Sequence, residues 1–307
     1  MSNITNHKQT QYPAPAIRAY LGGSFDPVHK GHVQIAMYVY QHLLPLAKQL
    51  NRELHVSLLP NARSPFKQQS TDPNHRLAML KLATLNTPIR IDELELWQTP
   101  PVYTIDSVRA LRQRYPNDSL IFIIGMDSAL SLTKWKQGLE LTDYVNLWVF
   151  NRDSLSETYD NDSGSSQTNE KLMNKNTMNQ DVSVSELQAQ LPNQLQPLII
   201  SSPNELITAN SHIAANSSRL QNNKHQGSIY VDARPVTAVS STQVRQQLHN
   251  PPHALNIKHT AETQIASLQP INDIMDNTEP NPLAKWLNPA VYQYIITHQL
   301  YSAAQFR

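Results

Sequence analysis

The sequence predicts an α/β fold: a doubly wound parallel sheet in a single domain that carries two polar insertions. Three observations predict it. Short apolar runs alternate with amphipathic stretches of helical length, the pattern of parallel strands joined by crossover helices. One run, SLIFIIGMD (119–127), is apolar almost throughout, as a central strand buried on both faces must be. Two stretches, 153–227 and 250–282, break the alternation with Asn-, Gln- and Ser-rich sequence. Such sequence buries too little apolar surface to offset its ordering entropy.

In chain order, residues 1–16 are polar and form a flexible tail, and the domain spans 17–307. IRAYL (17–21) is a short buried strand, followed by GGSFDPVHKGH (22–32) and the helical pattern of VQIAMYVYQHLLPLAKQL (33–50). Pro45 lacks a backbone N–H and crowds the turn before it, so it should kink or interrupt that helix. ELHVSLLP (53–60) is the next strand. Asp72 and Pro73 are the N-cap and first residue of the helix through HRLAMLKLATL (75–85). IRIDELEL (89–96) alternates like a strand, and Thr104 caps TIDSVRALRQRY (104–115). After the central strand, NLWVFNR (146–152) reads as another. Within 153–227, expected to be disordered, VSELQAQL and PLII are compatible with a short helix and a short strand. SIYVDA (228–233) returns as a strand, Ser240 or Ser241 caps the helix in VSSTQVRQQL (239–248), and NPAVYQYIITHQL (288–300) is the closing helix.

Composition narrows the function. Of the 307 residues 39% are hydrophobic and 16% charged, both below ordinary globular usage, which agrees with part of the chain not packing. A net charge of +1 supplies no global field for nucleic acid or an anionic membrane, so neither is expected as a partner and any anion site must be local. With no cysteine there is neither a disulfide framework nor thiolate chemistry. The first residues have no apolar core of the signal-peptide kind, and no apolar span is long enough for a bilayer. A soluble, cytoplasmic protein is expected.

The stretch GGSFDPVHKGH holds three of the chain's 7 glycines. A strand ending in Gly22 and Gly23, a turn at Pro27 and a helix starting near Gly31 aim backbone N–H groups and a helix N-terminus at the sheet's carboxyl edge, which suits an anion. Absent Cβ atoms at Gly22 and Gly23 are expected to admit a phosphate or a base ring to the main chain. His29 and His32, three apart, face the same way and can donate to phosphate oxygens. The pattern is neither GxGxxG nor GxxxxGK[ST]. Near the other end, SSTQVR (240–245) offers the hydroxyls of Ser241 and Thr242 at a helix start, with Arg245 one turn on, able to fork two phosphate oxygens.

Together these two stretches resemble the paired signatures of the HxGH nucleotidyltransferase superfamily. LLPNARSPFK, HRLAMLKLA, PVYTIDSV, IFIIGMDS followed by TKW, NLWVFNR and SIYVDARPVTAVSSTQVRQQL stand in the order of its nicotinate-nucleotide adenylyltransferases. The resemblance covers about 17–152, 228–249 and the C-terminal helix, and leaves out the two polar insertions. It implies a Rossmann-like sheet and adenylyl transfer from ATP to nicotinate mononucleotide, giving deamido-NAD and pyrophosphate, with Mg²⁺ carried on ATP. It implies that Gly22, Gly23, Ser24, Phe25, His29, His32, Gly125, Asp127, Ser241, Thr242 and Arg245 bind ATP. Asn61, Thr104, Trp135 and Arg152 would surround the mononucleotide, with the indole stacked on the pyridine ring. His29, His32, Lys67 and Arg245 would carry the catalysis by stabilising charge, with no general base.

Two positions depart from the family pattern. Phe66 stands before Lys67 where many relatives have an imidazole, and Lys136 follows Trp135 where many have a second aromatic. Two rival readings stay open at this level: transfer to another phosphorylated acceptor, such as phosphopantetheine, and a nucleotide-sensing module without turnover.

Overall fold

The computed structural model describes residues 14–63, 70–151, 183–208, 227–234, 239–249 and 282–301. Its strands are β1 (Ile17–Gly23), β2 (Leu54–Pro60), β3 (Arg90–Ile91), β4 (Ser119–Gly125), β5 (Asn146–Phe150), β6 (Ile199–Ile200) and β7 (Ile229–Asp232). They form one sheet in the order β3-β2-β1-β4-β5-β7-β6, and every pairing is parallel. β4 lies at the centre with all seven residues buried. The direction of winding reverses between β1 and β4, and such switch points at a carboxyl edge are where doubly wound sheets take ligands.

Alternation along each strand feeds two cores, one on each face. Ile17, Ala19, Leu21, Ile121, Ile123, Trp148 and Phe150 point to one face, where α1 (Lys30–Gln49), α2 (Pro73–Thr84) and α8 (Pro289–Thr297) cover them. Tyr20, Leu120, Phe122, Ile124, Leu147 and Val149 point to the other, under α3 (Thr104–Arg114), α4 (Met126–Leu130) and α5 (Val184–Gln190). Two further helices among the described residues are α6 (Glu205–Thr208) and α7 (Ser241–His249). No helix among the described residues is long and apolar enough to cross a membrane.

Several expectations are corrected. α1 runs unbroken through Pro45. Pro45 and Gln41 are both exposed, so the carbonyl that loses its N–H partner faces solvent and the helix continues. Of 89–96, only Arg90 and Ile91 pair with β2. Asp92 ends the strand by accepting from the Leu94 N–H at 3.0 Å, an Asx turn that the alternation concealed. Thr104 is the first helical residue of α3 and Tyr103 the boundary, with no side-chain cap bond. Asp72 caps α2 as expected, accepting from the Asn74 N–H at 2.8 Å, and Ser240 caps α7 through the Gln243 N–H at 3.1 Å.

The largest correction concerns 183–208, which lies inside the stretch expected not to pack. Ser183 and Glu186 form a capping box at the start of α5. Leu187, Leu191 and Leu195 enter one core, and Leu206 and Ile207 enter the other. β6 adds a strand beside β7. Asn146, fully buried at the start of β5, stitches this segment in: its Nδ2 donates to the Leu206 carbonyl at 2.6 Å, and its Oδ1 accepts from the Ser228 N–H at 2.8 Å. Five apolar side chains spread over 26 residues give little periodicity, yet each reaches a core. Of the tail expected over 1–16 and the second insertion expected over 250–282, residues 1–13 and 250–281 lie outside the described residues.

Candidate active site

Parallel strands bring the ends of β1, β2, β4, β5 and β7 to one carboxyl edge, and the loops there carry most of the sequence-predicted residues. His29 is the N-cap of α1, and Gly31 and His32 lie in its first turn. The two imidazoles stack, with centroids 3.6 Å apart and planes 23° from parallel. Both histidines are buried, at 4% and 8% exposure, so they form one packed unit rather than two surface side chains. The His29 N–H donates to His32 Nδ1 at 3.3 Å, which places the proton of a neutral His32 on Nε2. Phe25 meets His32 edge-on at 4.8 Å.

At the glycines a side chain would meet the protein's own atoms. A Cβ at Gly22 would lie 2.7 Å from Phe122 Cζ, and one at Gly23 would lie 3.3 Å from the Phe25 ring. The space is therefore taken by the protein's own aromatic rings. Gly31 works the same way, its bare Cα leaving room for the His29 ring and Val239. Phe25, buried and with φ of 48°, holds a left-handed conformation that is rare for a bulky residue and is kept by its packing.

The two stretches meet, through contacts that span 214 and 219 residues of sequence. Ser241 Oγ donates to the Pro27 carbonyl at 2.9 Å, and Arg245 donates to the Asp26 carbonyl and, at 3.1 Å, to Thr242 Oγ1. Asn61 follows β2 directly, and its N–H donates to the Gly23 carbonyl at 3.0 Å. Its Oδ1 is buried with no hydrogen-bond partner among the described residues, the state of an acceptor awaiting a donor. Gly125 ends β4 as the N-cap of α4, and Asp127 stands exposed in that helix's first turn.

The segments that carry Thr104 and Trp135 meet through Lys136. The N-terminus of α3 lies at the carboxyl edge because the helix leads back to the start of β4. Trp135 is half-buried and its Nε1 donates to Ser131 Oγ at 3.2 Å. Lys136 ties the two segments, donating to Asp106 Oδ2 at 3.1 Å and lying 4.4 Å from the Tyr103 ring centroid. Lys67 and Arg152 lie outside the described residues, as does Phe66.

Three residues of the site escaped the sequence reading. Asp26 is buried beneath the first loop, where its Oδ2 accepts from the Thr71 N–H at 3.2 Å and its Oδ1 from the Tyr301 hydroxyl at 2.7 Å. Arg76 is wholly buried in α2 and donates only to backbone carbonyls. A signal for it exists: Arg76, Met79, Leu80 and Ala83 fall at i, i+3, i+4 and i+7, so the arginine sits on the apolar stripe. For Tyr301, 275 residues from Asp26, no local signal exists.

Comparison with known proteins gives what the chain is similar to. A model of the cytidylyltransferase-like family matches residues 20–247. The chain is 32% identical over 234 residues to a probable nicotinate-nucleotide adenylyltransferase of Idiomarina loihiensis, an alignment covering 76% of this chain and 88% of that one. It is 41% identical over 139 residues to a probable nicotinate-nucleotide adenylyltransferase of Sodalis glossinidius (strain morsitans), covering 44% of this chain and 60% of that relative's length. Among solved structures, the Plasmodium falciparum nicotinic acid mononucleotide adenylyltransferase complexed with NaAD superposes with a TM-score of 0.52. That likeness covers 93% of this chain and 97% of that one at 15% identity, and it speaks to the fold.

Proposed function

The chain belongs to the cytidylyltransferase-like family and, within it, to the nicotinate-nucleotide adenylyltransferases, and from that premise we propose that it transfers the adenylyl group of ATP to nicotinate mononucleotide. The observation that carries the proposal is the docking of Ser241 and Arg245 onto the Asp26–Pro27 turn, beside the stacked pair His29 and His32. That meeting brings Ser241, Arg245 and the histidine pair together at the switch point of the sheet, where this reading has them bind phosphate.

In the proposed reaction a phosphate oxygen of the mononucleotide bonds to the α-phosphorus of ATP. The bond from that phosphorus to the α–β bridging oxygen breaks, and pyrophosphate leaves. A phosphate monoester has its second pKa near 6, so the attacking oxygen is largely deprotonated at about pH 7 and requires no general base. Rate then comes from positioning and from stabilising charge on the transferring and leaving oxygens. His32 Nε2, His29, Lys67 and Arg245 are assigned to that charge. Mg²⁺ arrives on the triphosphate as part of the substrate. Among the described residues no three His, Asp or Glu side chains converge to hold an ion on their own. Gly125 and Asp127 are assigned to the adenosine, and Asn61, Thr104, Trp135 and Arg152 to the mononucleotide. Thr104 and backbone amides at the start of α3 favour a carboxylate over an amide on the pyridine ring, because an amide NH₂ would face other donors.

The test is to incubate the purified protein with Mg²⁺, ATP and, in turn, nicotinate mononucleotide, nicotinamide mononucleotide and phosphopantetheine, and to assay pyrophosphate. Release is expected with nicotinate mononucleotide at a higher kcat/KM than with nicotinamide mononucleotide. Preferential release with phosphopantetheine, or none with any acceptor, refutes the assignment.

A further inference from the structure

We infer that Arg76 is a positioning residue that locks the loop after β1 to the loop after β2, and so fixes the two proposed substrate subsites relative to each other. The inference rests on the adenylyltransferase reading for what the two loops bind, but its geometry stands apart from that reading. Nε donates to the Thr71 carbonyl at 2.9 Å. Nη1 donates to the Ser24 carbonyl at 2.9 Å and to the Asn61 carbonyl at 2.7 Å, and Nη2 to the Ala62 carbonyl at 2.6 Å. One planar guanidinium thus spans the proposed ATP side at Ser24 and the proposed mononucleotide side at Asn61, with 0% exposure.

Two further bonds close the arrangement around it. The Asn61 N–H donates to the Gly23 carbonyl at 3.0 Å, and the Thr71 N–H donates to Asp26 Oδ2. Among the described residues the loops therefore meet through these two bonds and through Arg76. Burial lowers the pKa of this guanidinium, and the nearby Asp26 and Asp72 carboxylates oppose that shift and favour the buried charge. Lysine cannot replace this side chain. Its ammonium is a point donor, whereas the carbonyls are reached from three separate nitrogens in a fixed fork. A side chain that only filled the core would need no such fork. This one spends every observed bond on backbone carbonyls of segments that flank the candidate site.

The test compares Arg76→Lys and Arg76→Gln with Leu80→Ala, a core truncation on the same helix that leaves the loops' carbonyls untouched. Amide hydrogen exchange over 22–27 and 58–63, thermal unfolding, and kcat and both KM values are measured on each. Arg76→Lys is expected to speed exchange at least ten-fold in both loops and to raise KM for ATP and for nicotinate mononucleotide together. A ten-fold or greater fall in kcat should accompany this, while Leu80→Ala lowers the melting temperature without these changes. Kinetic values within two-fold of Leu80→Ala, or exchange unchanged in either loop, overturn the inference. So does failure of both arginine variants to fold at 10 °C where Leu80→Ala folds, since the role is then purely structural. If the wild-type protein itself turns over no mononucleotide, the adenylyltransferase reading has failed, and the exchange data alone decide the role of Arg76.

Discussion

His32 illustrates how one side chain's neighbours set its chemistry. Stacked on His29, edge-on to Phe25 and accepting at Nδ1, it is left with Nε2–H as its donor. In the proposed reaction that donor meets oxygens whose negative charge grows as the α–β bond breaks. Loss of one such preorganised donor costs roughly 2.7–4 kcal/mol, or about 10²–10³ in turnover. His32→Ala is therefore expected to lower kcat by that order while the mononucleotide KM moves only a few-fold; steady-state kinetics decide, and near-normal kcat removes the role. Glu95 makes a prediction about stability instead. Burial pushes its carboxyl from 4.5 up to about 7; Ser107 pulls it down and Asp92 pushes it up by smaller amounts. Between those two pH values the folded chain holds a proton that the unfolded chain has released. Stability is thus fullest below about 4.5 and falls as pH rises toward 7, by about 3 kcal/mol in all. In Glu95→Gln that part of the decline should vanish, as read by urea unfolding at pH 5 and pH 8; an unchanged pH slope refutes it. At this scale the sequence exposes residues that stand in short local patterns, as His29, His32, Ser241, Thr242 and Arg245 do. Nothing local shows that Ser241 and Arg245 reach Pro27 and Asp26, or that a Cβ at Gly22 would meet Phe122.

Elements were legible wherever one physical signal dominated. β1, β2, β4, β5 and β7 appear as short apolar runs, and α2 is announced by Asp72 and Pro73, because burial on both faces and capping each leave a local trace. The edge strand β3 was overdrawn because alternation cannot distinguish a strand from an Asx turn followed by a tight turn. In the segment 183–208, α5 and β6 match the short helix and short strand that VSELQAQL and PLII suggest, but the packing of the segment into both cores does not show in the sequence. Its contribution is a few leucines and isoleucines inserted singly, and the bond that anchors it comes from Asn146, outside the segment. Leu206, at 0% exposure, gives the clearest test of that integration. Truncating a fully buried leucine to alanine costs about 2–5 kcal/mol, depending on how far the site relaxes. Leu206→Ala should lower the urea midpoint accordingly, whereas a loosely attached insertion would leave it unchanged. For the same reason excision of 184–207 is expected to unfold the domain rather than trim it.

At the scale of the whole molecule, the segment 282–301 closes on the loop and helix start that follow β1. The Lys30 N–H at the start of α1 donates to the Trp286 carbonyl at 2.7 Å, and the Tyr301 hydroxyl donates to Asp26 Oδ1. Tyr301 has φ of 61° and is fully buried, so the chain after α8 is held in an unusual conformation by what its side chain reaches. Burial and then the Asp26 charge push its phenol far above the ordinary tyrosine range, so it stays protonated, a donor, through neutral and mildly alkaline pH. Asp26 in turn lies beneath the turn whose carbonyls receive Ser241 and Arg245. Tyr301→Phe removes one hydroxyl and leaves a buried carboxylate oxygen without that donor, a change worth about 1–3 kcal/mol. The ring and its packing are kept, so the loss should fall on Asp26 and the loop above it. Urea unfolding should register the destabilisation, and KM for ATP should rise several-fold while that for the mononucleotide, bound on the β2 side, rises less. Equal changes in both KM values would mean that Tyr301 supports the fold as a whole and not the β1 loop in particular.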